Sequence, residues 1–232
     1  MARQPRFVLP GQPQHVIQRG NNRDVIFASE ADYQFYLEKL AEACSKHCCD
    51  VHAYVLMTNH VHLLMTPHED QSISKVMQCL GRYYVQYFNY TYHRTGTLWE
   101  GRYKAALIDS ENYLLTCYRY IELNPVRAAM VEHPAEYKWS SYQYNALGED
   151  DKLITPHDLY MKLATTPKKR RKEYSDLFDN HISPKKLDEI RAATNKAWVI
   201  GSDSFKEKIE KLTQRQSVPK QRGGHNKRPS ID

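Results

Sequence analysis

The stretch Tyr54-Val55-Leu56-Met57-Thr58-Asn59-His60-Val61-His62-Leu63-Leu64-Met65-Thr66-Pro67 constrains the fold more than any other part of this chain. It is apolar and rich in β-formers on both sides of one polar break, Thr58-Asn59. It therefore predicts two strands joined by a tight turn. His60 and His62 stand at i and i+2 directly after that turn. Alternate side chains of a strand share a face, so both imidazoles point the same way. Two imidazoles so placed can hold one divalent cation, and the same pattern also fits two hydrogen-bonded histidines with no metal.

The segments on either side supply partners for this hairpin. His15 to Arg19 reads as a strand closed by the turn cluster Gly20-Asn21-Asn22-Arg23. Ser29, with Glu30 and Asp32 behind it, opens a helix whose apolar stripe is Tyr33, Tyr36, Leu37, Leu40, Ala41 and Cys44. Asp50 to Met57 and His60 to Thr66 are the hairpin strands. Ile73, Val76, Met77, Leu80, Tyr84, Tyr87 and Phe88 keep a helical period over about Ser72 to Tyr92. Leu98 to Ile108 reads as one or two strands with a bend at Gly101. Ser110 caps a further helix that ends at Asn124-Pro125. The order strand, helix, strand, strand, helix, strand, helix predicts an α+β fold. Its expected form is a ferredoxin-like antiparallel sheet with helices on one face.

After about Gly148 the strand patterns fade. We divide the chain into a domain over 1–147 and a helical, basic C-terminal extension over 148–232. Thr155-Pro156, Thr166-Pro167 and Ser183-Pro184 each read as an N-cap followed by a first-turn proline. The pattern from Lys185 to Leu212 fits either a helix-turn-helix or a plain helical hairpin. Lys220 to Pro229 reads as a flexible basic tail.

Charge and cysteine usage narrow the class. Of the 232 residues 41% are hydrophobic, enough for a packed core. A net charge of +6 points to a polyanionic partner, nucleic acid before membrane. The 17 tyrosines interspersed with arginines suit base stacking and also suit half-buried surfaces. Five cysteines in apolar runs form no disulfide framework and no zinc pair, and read as buried thiols. With neither a signal peptide nor a membrane-spanning run, the expected location is cytoplasmic.

The helix before Pro125 carries the second set of candidates. Tyr120 and Asn124 lie four apart, on one face of its last turn. A phenol has an unperturbed pKa of about 10 and is a poor nucleophile at neutral pH. It can still attack a phosphodiester that a metal polarises and holds in line. The Asn124 amide oxygen is a hard ligand suited to Mg²⁺ or Mn²⁺.

Three stretches in this order resemble one family. His60-Val61-His62 is similar to the HUH motif of single-tyrosine transposases, and Tyr120 to Asn124 to their Tyr-x-x-x-Gln/Asn helix. The wording of Tyr54 to Leu64, Arg94 to Arg102 and Arg119 to Arg127 resembles the REP-associated tyrosine transposases. The resemblance spans about Arg6 to Tyr142. It implies an HUH nuclease fold that cuts single-stranded DNA beside hairpins formed by palindromic repeats. It implies a 5′-phosphotyrosine intermediate and a free 3′-OH. Carried onto this chain, Tyr120 is the nucleophile and His60, His62 and Asn124 are ligands of Mg²⁺ or Mn²⁺. Related enzymes carry glutamine at the last position, and asparagine is one methylene shorter. Arg19, Asn21, Asn22, Arg23, Arg82, Arg102 and Lys104 are candidate nucleic-acid contacts, and the protein is expected to act as a monomer or homodimer. Two other functions fit the same residues: a metal-dependent phosphodiester hydrolase that uses water, and a DNA-binding regulator with an inactive nuclease core.

Overall fold

In the computed structural model, residues 6–7 and 9–219 are described; the basic tail falls outside them. The described residues form a five-stranded sheet in the order β2-β3-β1-β4-β5. Its strands are β1 (Gln14–Arg19), β2 (Cys49–Met57), β3 (His60–Pro67), β4 (Lys104–Ile108) and β5 (Val199–Ile200). The first four pair antiparallel, with β1 between β3 and β4, and β5 adds in parallel to β4. The expected hairpin is present: Met57 pairs with His60 across the Thr58-Asn59 turn. Of the run Leu98–Ile108 only β4 forms a ladder; Trp99 makes a single bridge to Gly20.

Helices α1 (Glu30–Lys46) and α2 (Ser72–Thr91) cover one face. Their buried Tyr36, Leu40, Val76, Leu80 and Tyr84 pack on Val16, Val61, Leu63 and Met65, the residues that point that way from β1 and β3. Asp32 closes the first turn of α1 by accepting from the Ser29 backbone N–H at 2.9 Å, as an acid at that position should.

The second face differs from the expectation of helices on one side only. It is covered by α3 (Ser110–Glu122) and by α7 (Pro184–Lys196), with α5 (Asp158–Met161) and α6 (Pro167–Asp176) packed behind α3. Ala53, Val55, Met57, Leu64, Ala106 and Ile108 face this layer, which buries Leu114, Tyr118, Ile121, Tyr160, Tyr174 and Ile190. The physical reason is that β2, β3 and β4 are apolar on both faces, so neither face can be left to water. The extension therefore contributes to the same core as residues 1–147. Its last elements, β5 and α8 (Asp203–Thr213), extend the sheet and bury Ile209 against Leu107 and Phe7. A strand thus separates α7 from α8.

Thr166 and Ser183 cap α6 and α7 as read, accepting from the backbone N–H of Lys169 and Lys186. Thr155 does not cap a helix; His157 caps α5, and the Thr155 carbonyl instead accepts from His52 at 2.7 Å. The cysteines are free thiols, and Cys48 is exposed at the end of α1 rather than buried. No helix among the described residues is long and apolar enough to cross a membrane.

Candidate active site

The site lies on the second face, where register decides which residues meet. β1 pairs Ile17 with His62 and Arg19 with His60, and β2 sets Val55 and Met57 on their other side. Paired residues point to the same face, so Arg19, His60 and His62 share one surface beneath α3. His15, two residues before Ile17, shares it as well. The His60 and His62 rings are 5.0 Å apart, centroid to centroid, and inclined at 76°.

Burial holds all three imidazoles neutral. His60 is pushed down to about 4, first by desolvation and then by Arg19. His15 is pushed down to about 3 by desolvation and then Arg127. His62 is driven well below the ordinary value by burial, with the neighbouring His15, His60, Arg127 and Arg19 adding to it. Neutral imidazole is the form that binds metal.

The hydrogen bonds of His60 also assign its proton. The Asn59 amide nitrogen donates to the Arg23 carbonyl at 2.9 Å, which turns the Asn59 amide oxygen toward His60 Nδ1 at 2.7 Å. An amide oxygen accepts only, so Nδ1 carries the hydrogen and Nε2 keeps its lone pair. The turn that supplies the Arg23 carbonyl depends on Gly20. A Cβ there would lie 2.3 Å from the Asp24 carbonyl oxygen and 2.8 Å from Ile26. Its N–H donates to the Asn59 carbonyl at 2.8 Å, tying this turn to the hairpin turn.

Tyr120 descends from the last turn of α3. Its ring is edge-on to His15 at 5.5 Å and to His62 at 5.9 Å. It is 5% exposed, and its hydroxyl has no hydrogen-bond partner among the described residues. α3 ends at Glu122, and a short turn α4 (Asn124–Arg127) follows. The Asn124 amide nitrogen donates to the carbonyls of Tyr120 and Ile121, both at 3.1 Å. That leaves its amide oxygen uncommitted. Arg127 folds back over Tyr120: its guanidinium carbon is 4.3 Å from the ring centroid, and one nitrogen donates to the Tyr120 carbonyl at 2.6 Å. Burial lowers this guanidinium to about 10, so it remains a cation at neutral pH. Its other terminal nitrogen is buried with no partner among the described residues.

This donor set fits a hard divalent ion. Among the described residues no three of His, Cys, Asp and Glu cluster as ligands. The two imidazoles of this surface and the uncommitted amide oxygen of Asn124, four residues after Tyr120, are the candidate donors, and three ligands leave coordination positions for phosphate and water.

Beside the histidines, Arg19, Glu100, Arg102, Lys104 and Asn195 line one cleft. The structure thus brings together Arg19, Arg102 and Lys104 from the sequence-based set and adds Asn195, which accepts from the Lys104 ammonium at 3.2 Å. Asn21, half-buried, and the exposed Asn22 and Arg23 form a turn joined to Asn59. Arg82 is not brought to this surface; it is exposed on α2, across the sheet. His52 has both nitrogens occupied, by Thr155 and Thr66, at a bulge in β2, and is not a ligand. Sequence reading did not single out Asn59, Arg127 or His15. The first two sit beside named residues in the chain, whereas His15 is placed only by the register of β1 on β3.

Glu122, two residues after Tyr120, is fully buried and accepts from three side chains. Ser141 donates at 2.6 Å, Asn145 at 2.9 Å and Tyr174, on α6, at 2.6 Å. Burial still raises it to about 7, against the pull of those three donors. It anchors α3 to the extension.

Comparison with known proteins finds a family and solved structures to which the chain is similar. Residues 11–124 match the family described as IS200-like transposases. A structure titled as a REP-associated tyrosine transposase bound to a REP hairpin is similar over 68% of this chain and 93% of its own, at 17% identity and a TM-score of 0.53. A second, titled a "putative transposase" from Deinococcus radiodurans R1, covers 51% of this chain and 93% of its own, at 18% identity and a TM-score of 0.36. A search of curated proteins finds no match. The His60–His62 hairpin and the Tyr120 helix both fall within the matched segment, and over residues 11–124 the chain is similar to the IS200-like transposases.

Proposed function

We propose that this protein is a transposase: a metal-dependent endonuclease and strand-transferase that acts on single-stranded DNA at hairpin-forming repeats. The observation that carries the reading is the placement of Tyr120. Its unbonded hydroxyl belongs to a ring packed edge-on against His62 and roofed by the Arg127 guanidinium. The REP hairpin bound by the structural relative supports the same choice of substrate.

In this reading His60 and His62, through Nε2, and the amide oxygen of Asn124 would hold Mg²⁺ or Mn²⁺. When bound, the ion supplies positive charge to the scissile phosphate. The Tyr120 oxygen attacks the phosphorus, a Tyr O–P bond forms and the bond to the 3′ oxygen breaks. The products are a 5′-phosphotyrosine and a free 3′-OH, the phenolic proton passing through solvent to the leaving 3′ oxygen. Attack by a 3′-OH on that linkage reverses the step and joins strands. The unpartnered nitrogen of Arg127 donates to the phosphate as charge grows on it. Arg19, Arg102 and Lys104 carry the strand away along their cleft, and Asn21, Asn22 and Arg23 border it. We take 1–147 as the nuclease domain and 148–232 as an extension whose described residues, up to 219, cover its second face.

Incubation with hairpin-containing single-stranded DNA and Mg²⁺ or Mn²⁺ should give an adduct that resists SDS, and Tyr120→Phe should give none. If the phenylalanine variant still forms the adduct, or cleaves at the wild-type rate, Tyr120 is not the nucleophile.

A further inference from the structure

A chain of hydrogen bonds runs from the extension into the metal site. The Thr194 hydroxyl, near the C-terminus of α7, lies 2.8 Å from the Ile190 carbonyl oxygen and 2.8 Å from His15 Nδ1. His15 Nε2 lies 2.8 Å from His62 Nδ1, and the two rings are nearly parallel, 13° apart. Every member is buried: His15 is 0% exposed, and His62 and Thr194 are 3% exposed.

The end of the chain decides the rest. A carbonyl oxygen only accepts, so Thr194 donates its single proton to Ile190. The hydroxyl oxygen then accepts from His15, which places a hydrogen on His15 Nδ1. A neutral imidazole carries one hydrogen, so His15 Nε2 is an acceptor. The one proton between the two rings therefore belongs to His62 Nδ1, and His62 Nε2 is left as a lone pair. The reverse assignment fails at Ile190. There the hydroxyl oxygen would face the carbonyl oxygen, lone pair against lone pair, at 2.8 Å. It would also force the His62 proton onto Nε2, the atom that must be bare to bind a cation.

We infer that Thr194 is a positioning residue for the metal site: acting through His15, it holds His62 as the Nδ1–H tautomer and keeps Nε2 free for the ion. The inference rests on His62 being a metal ligand, as in the function proposed above. It explains what a helical extension does for a nuclease core beyond covering it. The extension sets the ligand state of one histidine, while the hairpin turn sets that of the other through Asn59. Partners of ligating histidines change metal affinity by roughly 10- to 100-fold when removed.

The test uses the full chain. Thr194→Val keeps shape and removes the hydroxyl, while Thr194→Ser keeps the hydroxyl. Long-range ¹⁵N–¹H correlation on histidine-labelled, metal-free protein reads the tautomers, with His62 assigned from His62→Ala. Wild type should show His62 as Nδ1–H. Thr194→Val should lose that tautomer as the dominant form and bind Mn²⁺ about 10- to 100-fold more weakly, read by the electron paramagnetic resonance of free Mn²⁺. Thr194→Ser should restore both. A wild-type His62 in the Nε2–H form overturns the relay, as does a valine variant with unchanged tautomer and Mn²⁺ affinity. A wild-type protein that binds no Mn²⁺ overturns the proposed function instead; the tautomer measurement, made without metal, still decides the relay.

Discussion

Tyr174→Phe removes one oxygen from the core and tests how the extension holds the helix that carries Tyr120. The lost contact is the 2.6 Å hydrogen bond from the Tyr174 hydroxyl to Glu122, between two residues that are both 0% exposed. A hydrogen bond to an ionised group contributes about 1.5–3 kcal/mol, and one between neutral groups about 0.5–1.5 kcal/mol. Which value applies depends on pH, because burial raises Glu122 to about 7. The folded state therefore holds a proton that the unfolded state releases near the ordinary carboxylate value, so stability falls as pH rises between about 4.5 and 7. Tyr174 favours the ionised form; without it the folded pKa rises further and the fall in stability continues above pH 7. The variant should be about 1 kcal/mol less stable than wild type at pH 5.5 and about 2–3 kcal/mol less stable at pH 8.5. Urea unfolding followed by circular dichroism at the two pH values reads this as a midpoint difference that widens with pH at constant slope. A loss below about 0.5 kcal/mol at pH 8.5, or one equal at both pH values, refutes the assignment of Glu122 as a buried carboxylate held by the extension.

Three further outcomes follow from the geometry. His60→Ala and His62→Ala should each abolish metal-dependent cleavage and leave metal-free hairpin binding within about threefold, read on native gels; normal cutting by both variants would falsify the proposed site. Arg102→Ala with Lys104→Ala should lower the slope of log K against log salt by roughly 1.4, about 0.7 for each single-strand phosphate, whereas Arg82→Ala, across the sheet, should leave the slope unchanged. Removing everything beyond Thr165 takes Tyr174, Ile190, Ala193 and Ile200 out of the core. That truncation should lose cooperative unfolding, so point substitutions, not deletion, separate a nuclease from a DNA-binding regulator.

The local elements were legible because each rests on near neighbours in the chain. The Thr58-Asn59 turn, the α1 acids and the Thr166 and Ser183 caps concern residues within four positions of each other. Thr155 misled because a Thr-Pro pair has the same local signal whether or not a helix follows. Here its carbonyl is taken by His52, 103 residues away in sequence.

The sequence by itself determined the chemistry on offer. Alternation put His60 and His62 on one face, and the helical period put Tyr120 and Asn124 on another. It also marked a chain apolar enough to need both faces of its sheet covered, although the second cover was not read from it. Only the tertiary structure decided which face meets which. The register of β1 on β3 brings His15 to His62, a sequence separation of 47, and the docking of α7 brings Thr194 to His15 across 179 residues. Such contacts have no period and no local signature. They depend on how strands pair and helices pack, and those pairings settle where the proton on His62 resides.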